Sequence, residues 1–191
     1  MLGHHLRNLK RWNQIVQVLA SHGFAGFLSE IGLGDTVASL LDKVRVGRDE
    51  AELMRLPTAV RLRRAMEELG PTFIKLGQVL STRRDLVSDE WAEEFGKLQS
   101  DCPVVPFPQI KARLEATFGD RLESLFSEID EKPLAAASMA QAHRAVMADG
   151  EEVVLKILRP GIRDMIESDM DALRFIARMV EEHLPNPGFD P

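Results

Sequence analysis

The chain has 191 residues, enough to bury one core of ordinary size or two small ones. A hydrophobic fraction of 45% with 28% charged residues reads as a folded globular chain, and a net charge of −6 with interspersed basic residues excludes the cationic stripe that nucleic-acid binding needs. The single cysteine, Cys102, excludes an internal disulfide and a thiolate zinc site, as a reducing compartment would have it, and no run reaches the roughly 18 apolar residues of a spanning helix.

The first residues, Met1 to His5, lack the apolar core and cleavage site of a secretory signal. Leu6, Leu9, Trp12, Val16 and Leu19 recur at helical spacing, and His22-Gly23 is a stop. Ile31 to Asp35 contains Gly-x-Gly, but without a preceding strand or a third glycine it fails as a dinucleotide fingerprint. Asp35 instead caps a helix through Val37, Leu40, Leu41 and Val44. Pro57 opens a helix through Val60, Leu62, Met66 and Leu69 that ends at Gly70-Pro71, where the next, "TFIKLGQVLSTRRDL", starts at once. Ser88 caps "DEWAEEFGKLQ", and Pro103, Pro106 and Pro108 make "DCPVVPFP" an extended crossing.

Two short helices, Pro108 to Phe118 and Asp120 to Phe126, flank Gly119. Residues 130 to 158 then read as strand, loop, strand, an Asp149-Gly150 turn, and strand. "RPGI" breaks that last strand, and Ile162 to His183 has the period of a long amphipathic helix whose carboxylates, Glu167, Asp169, Asp171, Glu181 and Glu182, form a solvated face. The proline-rich end, "LPNPGFDP", reads as a linker or a cut end. The fold class is therefore α+β.

Three places carry candidate chemistry. Lys156 in "VVLKIL" shares a strand face with Val154 and Leu158. Buried there, its ammonium needs an anion, which nucleotide phosphates supply; the other reading is an edge-strand lysine that discourages aggregation. The turn Ala135-Ala136-Ala137-Ser138 has the small side chains that let backbone N–H groups approach phosphates, or simply packs closely on a helix. In "FIKLGQ", Lys75 and Gln78 share a helical face, and Gly77 between them costs about 1 kcal/mol relative to alanine, so either something approaches the backbone closely or the helix kinks by chance. Arg83, Arg84 and Asp85 read as a solvated charge cluster or, equally, as Asp85 orienting Arg83 beneath an anion, while His143 and Arg144 point to opposite faces of the second strand, where sheet packing and solvent exposure are expected of them. No serine–histidine–acid, paired-carboxylate or metal-ligand set stands out.

In this order and at these distances, "PTFIKLGQVLSTRRDL", "PLAAASMAQAHRA" and "VVLKILRPGI" resemble the UbiB/ADCK family of atypical kinase-like proteins over roughly residues 55 to 185. The resemblance implies that Ala135, Ala136, Ala137 and Ser138 cover a nucleotide in place of a kinase glycine-rich loop, and that Lys156 binds its phosphates. It implies that Lys75, Gly77 and Gln78 form the motif that gates access to the site. Lys156 is then expected to look inward, at a concavity roofed by the alanine turn and walled by the glycine-interrupted helix. The sequence departs from the family pattern at Arg83-Arg84, where Arg-Pro is usual, and at "LQSDCPVV".

The family's glutamate-bearing helix, catalytic-loop aspartate and asparagine, and Asp-Phe-Gly segment are expected after position 191, so this chain is expected to be an inactive N-terminal fragment of an ATPase or kinase with no catalytic residue of its own. Its expected parts are a helical extension (1–54), a regulatory helical segment (55–128), a partial small lobe of three antiparallel strands and a long helix (129–185), and a linker or truncated end (186–191). The resemblance further implies ATP and Mg²⁺ as cofactors, with the Mg²⁺ ligands downstream. It also implies a role in ubiquinone biosynthesis, prenyl-lipid or ubiquinone-pathway protein partners, and peripheral association with the cytoplasmic face of a bacterial inner membrane. The alternative is a non-catalytic prenyl-lipid-binding or scaffolding module with a vestigial nucleotide site; a purely helical interaction domain would leave Lys156 in solvent and the hairpin detached from the helices.

Overall fold

The computed structural model describes residues 2–41, 52–98 and 103–184, and side chains in the first of these stretches from residue 9 to 40. In chain order the elements used below are α1 (Leu2–Leu19), α2 (Ala25–Leu28), α3 (Gly34–Leu41), α4 (Thr58–Leu69), α5 (Pro71–Ser81), α6 (Asp89–Phe95), α7 (Phe107–Phe118), α8 (Leu122–Leu125), β1 (Phe126–Ile129), β2 (Ala135–Ala136), β3 (Ala140–Met147), β4 (Glu152–Leu158) and α9 (Ile162–His183). Cys102, Val44 and the segment 186–191 fall outside the described residues. The chain forms two compact units, one of residues 1–98 with 165–191 and one of residues 99–164.

The first unit is helical. His22-Gly23 interrupts it as the spacing predicts: Gly23 takes φ 83°, a left-handed backbone that a side chain disfavours, and the Arg61 guanidinium donates to the carbonyls of both residues. Gly70, at φ 93°, ends α4, and Pro71 opens α5 with a fixed φ and no N–H to leave unpaired. The apolar stripes of α1, α4, α5 and α6 meet in a core containing Ile15, Met66, Leu69, Phe73 and Phe95. From α9, Ala172 joins that core, and Phe175 meets Trp12 edge to face at 4.9 Å.

The α5 pattern runs shorter than predicted. It stops at Ser81 because the hydroxyls of Ser81 and Thr82 donate to the carbonyls of Gln78 and Val79, capping the last turn, and Arg83 then closes on Asp85. Ser88 takes the N-cap position of α6 in extended geometry, without a side-chain hydrogen bond, and that helix ends at Phe95 rather than running on through Leu98. The acidic face of α9 also needs correction. Glu167, Asp171, Glu181 and Glu182 are exposed, but Asp169 is fully buried.

The second unit is α+β, with four strands where the sequence predicts three. The helix expected to reach Phe126 ends at Leu125, and Phe126 already lies in extended backbone opposite Met147. The alanine segment is itself partly a strand, Ala135 and Ala136 pairing with Ala142 and Gln141. β3 is central: β4 runs antiparallel along one edge, while β1 and β2 share the other. The Asp149-Gly150 turn joins β3 to β4 as predicted, with Gly150 at φ 90° and the Asp149 carboxylate accepting from the Glu151 N–H. On one side of the sheet, Ile157 and Leu155 pack with Ile110 and Leu114 of α7, so the hairpin is attached to helices.

Candidate functional site

The strand register assembles the predicted nucleotide residues. Ala135 lies opposite Ala142, and Ala142 opposite Lys156, so the three stand side by side across adjacent strands. Directly opposed residues point to the same face, and neighbouring strands lie about 4.8 Å apart, which spaces the Cα atoms of Ala135 and Lys156 by about 10 Å. The alanine turn closes through the Ala137 N–H to the Ala140 carbonyl at 2.8 Å. No non-glycine residue among those described has positive φ. The turn therefore needs small side chains but no left-handed backbone, and alanine meets that need with less chain entropy to lose than glycine.

Lys156 corrects the sequence reading in one respect. It is exposed, as are Val154 (62%) and Leu158 (38%) on the same face. Strand parity is the reason: Leu155 and Ile157 turn toward α7, which leaves Val154, Lys156 and Leu158 on the opposite, open side. Among the described residues the Lys156 ammonium has no ion-pair partner, whereas Arg144 on the same sheet is paired with Glu152 and with Asp130 at 3.7 Å. Of the turn residues, Ala135 and Ala137 are exposed, Ala136 is half-buried and Ser138 is buried. A row of two alanines ending in an unneutralised lysine suits a flat anionic ligand. No group of three His, Cys, Asp or Glu side chains placed to hold a metal ion occurs among the described residues.

Lys75, Gly77 and Gln78 lie in the other compact unit. Lys75 is exposed. A methyl group on Gly77 would stand 2.2 Å from Leu98 Cδ1 and 2.9 Å from Met66 Sδ, so the close approach predicted for this glycine comes from the core side chain of Leu98. The Gln78 amide donates to the Leu98 carbonyl at 3.1 Å. Both residues thus seat Leu98, the end of the α6 segment.

Sequence reading missed two groups. His143 packs inward as expected, but with Gln141 it forms a buried polar network: both are fully enclosed. The Asp130 carbonyl can only accept, so His143 carries its proton on Nδ1 (2.8 Å), and its Nε2 accepts from the Gln141 amide at 3.3 Å. Gln141 also donates to the Val105 carbonyl at 3.3 Å and accepts the Val105 N–H through Oε1. A glutamine two residues before a histidine on one strand was the available signal, since both share the inward face. The second group is Arg159, whose backbone and side chain both reach the alanine turn.

In kinase small lobes a glycine-rich loop covers the nucleotide phosphates and a lysine on the third strand meets them. Residues 97–189 match the ABC1 atypical kinase-like domain, a family that this chain resembles over that stretch. It is 47% identical over 122 residues to a probable protein kinase UbiB of Shewanella loihica, covering 63% of this chain and 22% of that protein. The corresponding values are 43% over 129 residues, 68% and 24% for a probable protein kinase UbiB of Marinobacter nauticus. For one of Azotobacter vinelandii they are 46% over 125 residues, 65% and 23%. The chain thus spans under a quarter of the length of these relatives. A solved structure, the complex of Rv3197 with erythromycin from Mycobacterium tuberculosis, is 30% identical and covers 75% of this chain and 37% of its own, with a TM-score of 0.43.

Proposed function

We propose that this chain contributes the small-lobe half of an ATP site in an atypical kinase or ATPase that supports ubiquinone biosynthesis. The observation that carries the reading is the row Ala135–Ala142–Lys156 on the open face of the sheet, closed at one end by a turn of alanines. Lys156 would meet the phosphates, the turn Ala135 to Ser138 would lie over them, and Val154 and Leu158 would offer apolar surface nearby. An exposed lysine without an ion-pair partner among the described residues is consistent with a cation held for a ligand. A second lobe, which the short coverage of the relatives leaves room for, would supply the Mg²⁺ ligands and the base. Lys75, Gly77 and Gln78 would gate access to that site. No described helix is long and apolar enough to cross a membrane, and the proposed place of action is the cytoplasmic face of a bacterial inner membrane, reached by peripheral association.

The test is thermal stabilisation of the full-length protein by ATP with Mg²⁺. Wild type should gain several degrees at millimolar nucleotide, as mass action requires of a ligand that binds only the folded state, and Lys156→Ala should lose most of that gain. Equal shifts in the two proteins would remove Lys156 from the site. No shift in either would remove the site itself.

A further inference from the structure

We propose that Arg159 is a positioning residue that fixes the Ala137–Ser138 peptide so that the turn presents the Ser138 N–H to a nucleotide phosphate. This rests on the nucleotide reading of the turn. The geometry begins with the backbone. Arg159 precedes Pro160, whose ring holds the preceding residue in extended conformation. Just past the end of β4 at Leu158, the Arg159 N–H donates to the Met139 carbonyl at 3.0 Å. From there the guanidinium reaches in two directions. Its Nε donates to the Ala137 carbonyl at 2.8 Å, and its Nη1 to the Pro103 carbonyl at 2.9 Å.

Pro103 belongs to the extended strap before α7, and that strap is pinned again two residues later, where Gln141 grips both the N–H and the carbonyl of Val105. One planar side chain thus spans from a fixed strap to the tip of the turn. A lysine, a single point donor, cannot hold both carbonyls in that fork.

The consequence lies in the peptide plane. A trans peptide points its C=O and N–H in opposite directions, so anchoring the Ala137 carbonyl to Arg159 turns the Ser138 N–H away from it. Among the described residues that N–H has no hydrogen-bond partner. A backbone donor without a partner, in a turn beside an unpaired lysine, is what an anionic ligand would complete. Arg159 touches no phosphate in this scheme; it acts through the peptide that does.

Phosphate dependence separates positioning from plain structural support. In the full-length protein, Arg159→Lys and Arg159→Ala should weaken ATP binding about tenfold, the size of one lost charge-assisted hydrogen bond, while adenosine binds as in wild type. Calorimetric titration measures both. ATP and adenosine affinities falling together, or neither changing, would overturn the assignment. Amide exchange without nucleotide gives an independent reading: Arg159→Ala should speed exchange of the Ala137 N–H while Ile110 and Leu114 in α7 keep their protection. Unchanged Ala137 exchange sinks the brace, even if wild type binds ATP. If wild type binds no nucleotide at all, the functional reading fails, and the exchange result alone decides whether Arg159 holds the turn.

Discussion

Gly77 shows how a single residue type is set by what leans on it. Inside a helix glycine costs about 1 kcal/mol relative to alanine, so Gly77→Ala ought to stabilise α5 on propensity alone. The neighbourhood reverses that expectation. The new methyl would overlap Leu98, which is 4% exposed, and crowd Met66, and neither can swing out to solvent from the core. Overpacking of this kind costs about 1–3 kcal/mol. Gly77→Ala should therefore lower stability in urea titrations by an amount in that range. Added to a Leu98→Ala background, which vacates the overlapped space, it should cost clearly less, and additive losses in that double-mutant cycle would break the link between the two residues. The sequence indicated a close approach at this glycine. It did not name Leu98, because contact partners so far apart in sequence are chosen by packing rather than by spacing.

At the scale of elements, helix starts were legible and helix ends less so. Pro57, Gly70-Pro71 and Gly23 mark boundaries through backbone restrictions that hold in any context, and the structure keeps them. The end of α5 depends instead on which hydroxyl finds which carbonyl, and the join of α8 to β1 on whether Phe126 pairs with a strand formed later in the chain. Polar groups buried between elements were hidden for the same reason. Glu94 is 6% exposed on α6 and accepts from Lys97 and, at 2.7 Å, from Arg63 Nε on α4. The Lys97 hydrogen bond first, then that of Arg63, holds its carboxyl below the usual range. A carboxyl whose folded value is depressed stabilises the fold fully above its unfolded value of about 4.3, and that contribution is lost as pH falls through the folded value. Glu94→Gln should therefore melt below wild type at pH 7, by the equivalent of about 1–3 kcal/mol for hydrogen bonds to a charged group, and the gap should narrow as pH drops below about 4. A gap that stays constant down to pH 3 would mean that the charge on Glu94 contributes nothing.

For the molecule as a whole, the sequence showed α+β order, the hairpin, the small-residue turn and the lysine strand, because each rests on local rules of turn chemistry and strand alternation. It hid which distant residues close the first unit. The acidic stripe of α9 looks uniform in composition, yet the turn of the helix sends Asp169 alone among its neighbours into the interior, where Arg11 of α1 meets it. Arg11 Nε lies 2.5 Å from Oδ1 and Nη2 3.2 Å from Oδ2, and the same Nη2 donates to the Leu69 carbonyl at 2.6 Å, near the end of α4. One guanidinium thus ties together three helices whose residues lie 58 and 158 positions away in sequence. Desolvating two ions costs several kcal/mol, so the pair gains little over an apolar contact of equal volume, but removing one partner strands the other. Arg11→Met should then cost about 3–5 kcal/mol in denaturant titrations, because it leaves the buried Asp169 carboxylate unpaired, and Asp169→Leu should cost less, because the half-buried Arg11 guanidinium keeps its bonds to Gln14 and the Leu69 carbonyl. The double variant Arg11→Met with Asp169→Leu leaves no such charge and should recover most of that loss. A double variant as unstable as the sum of the singles would show instead that the ion pair itself, and not the avoidance of a stranded charge, holds α1, α4 and α9 together.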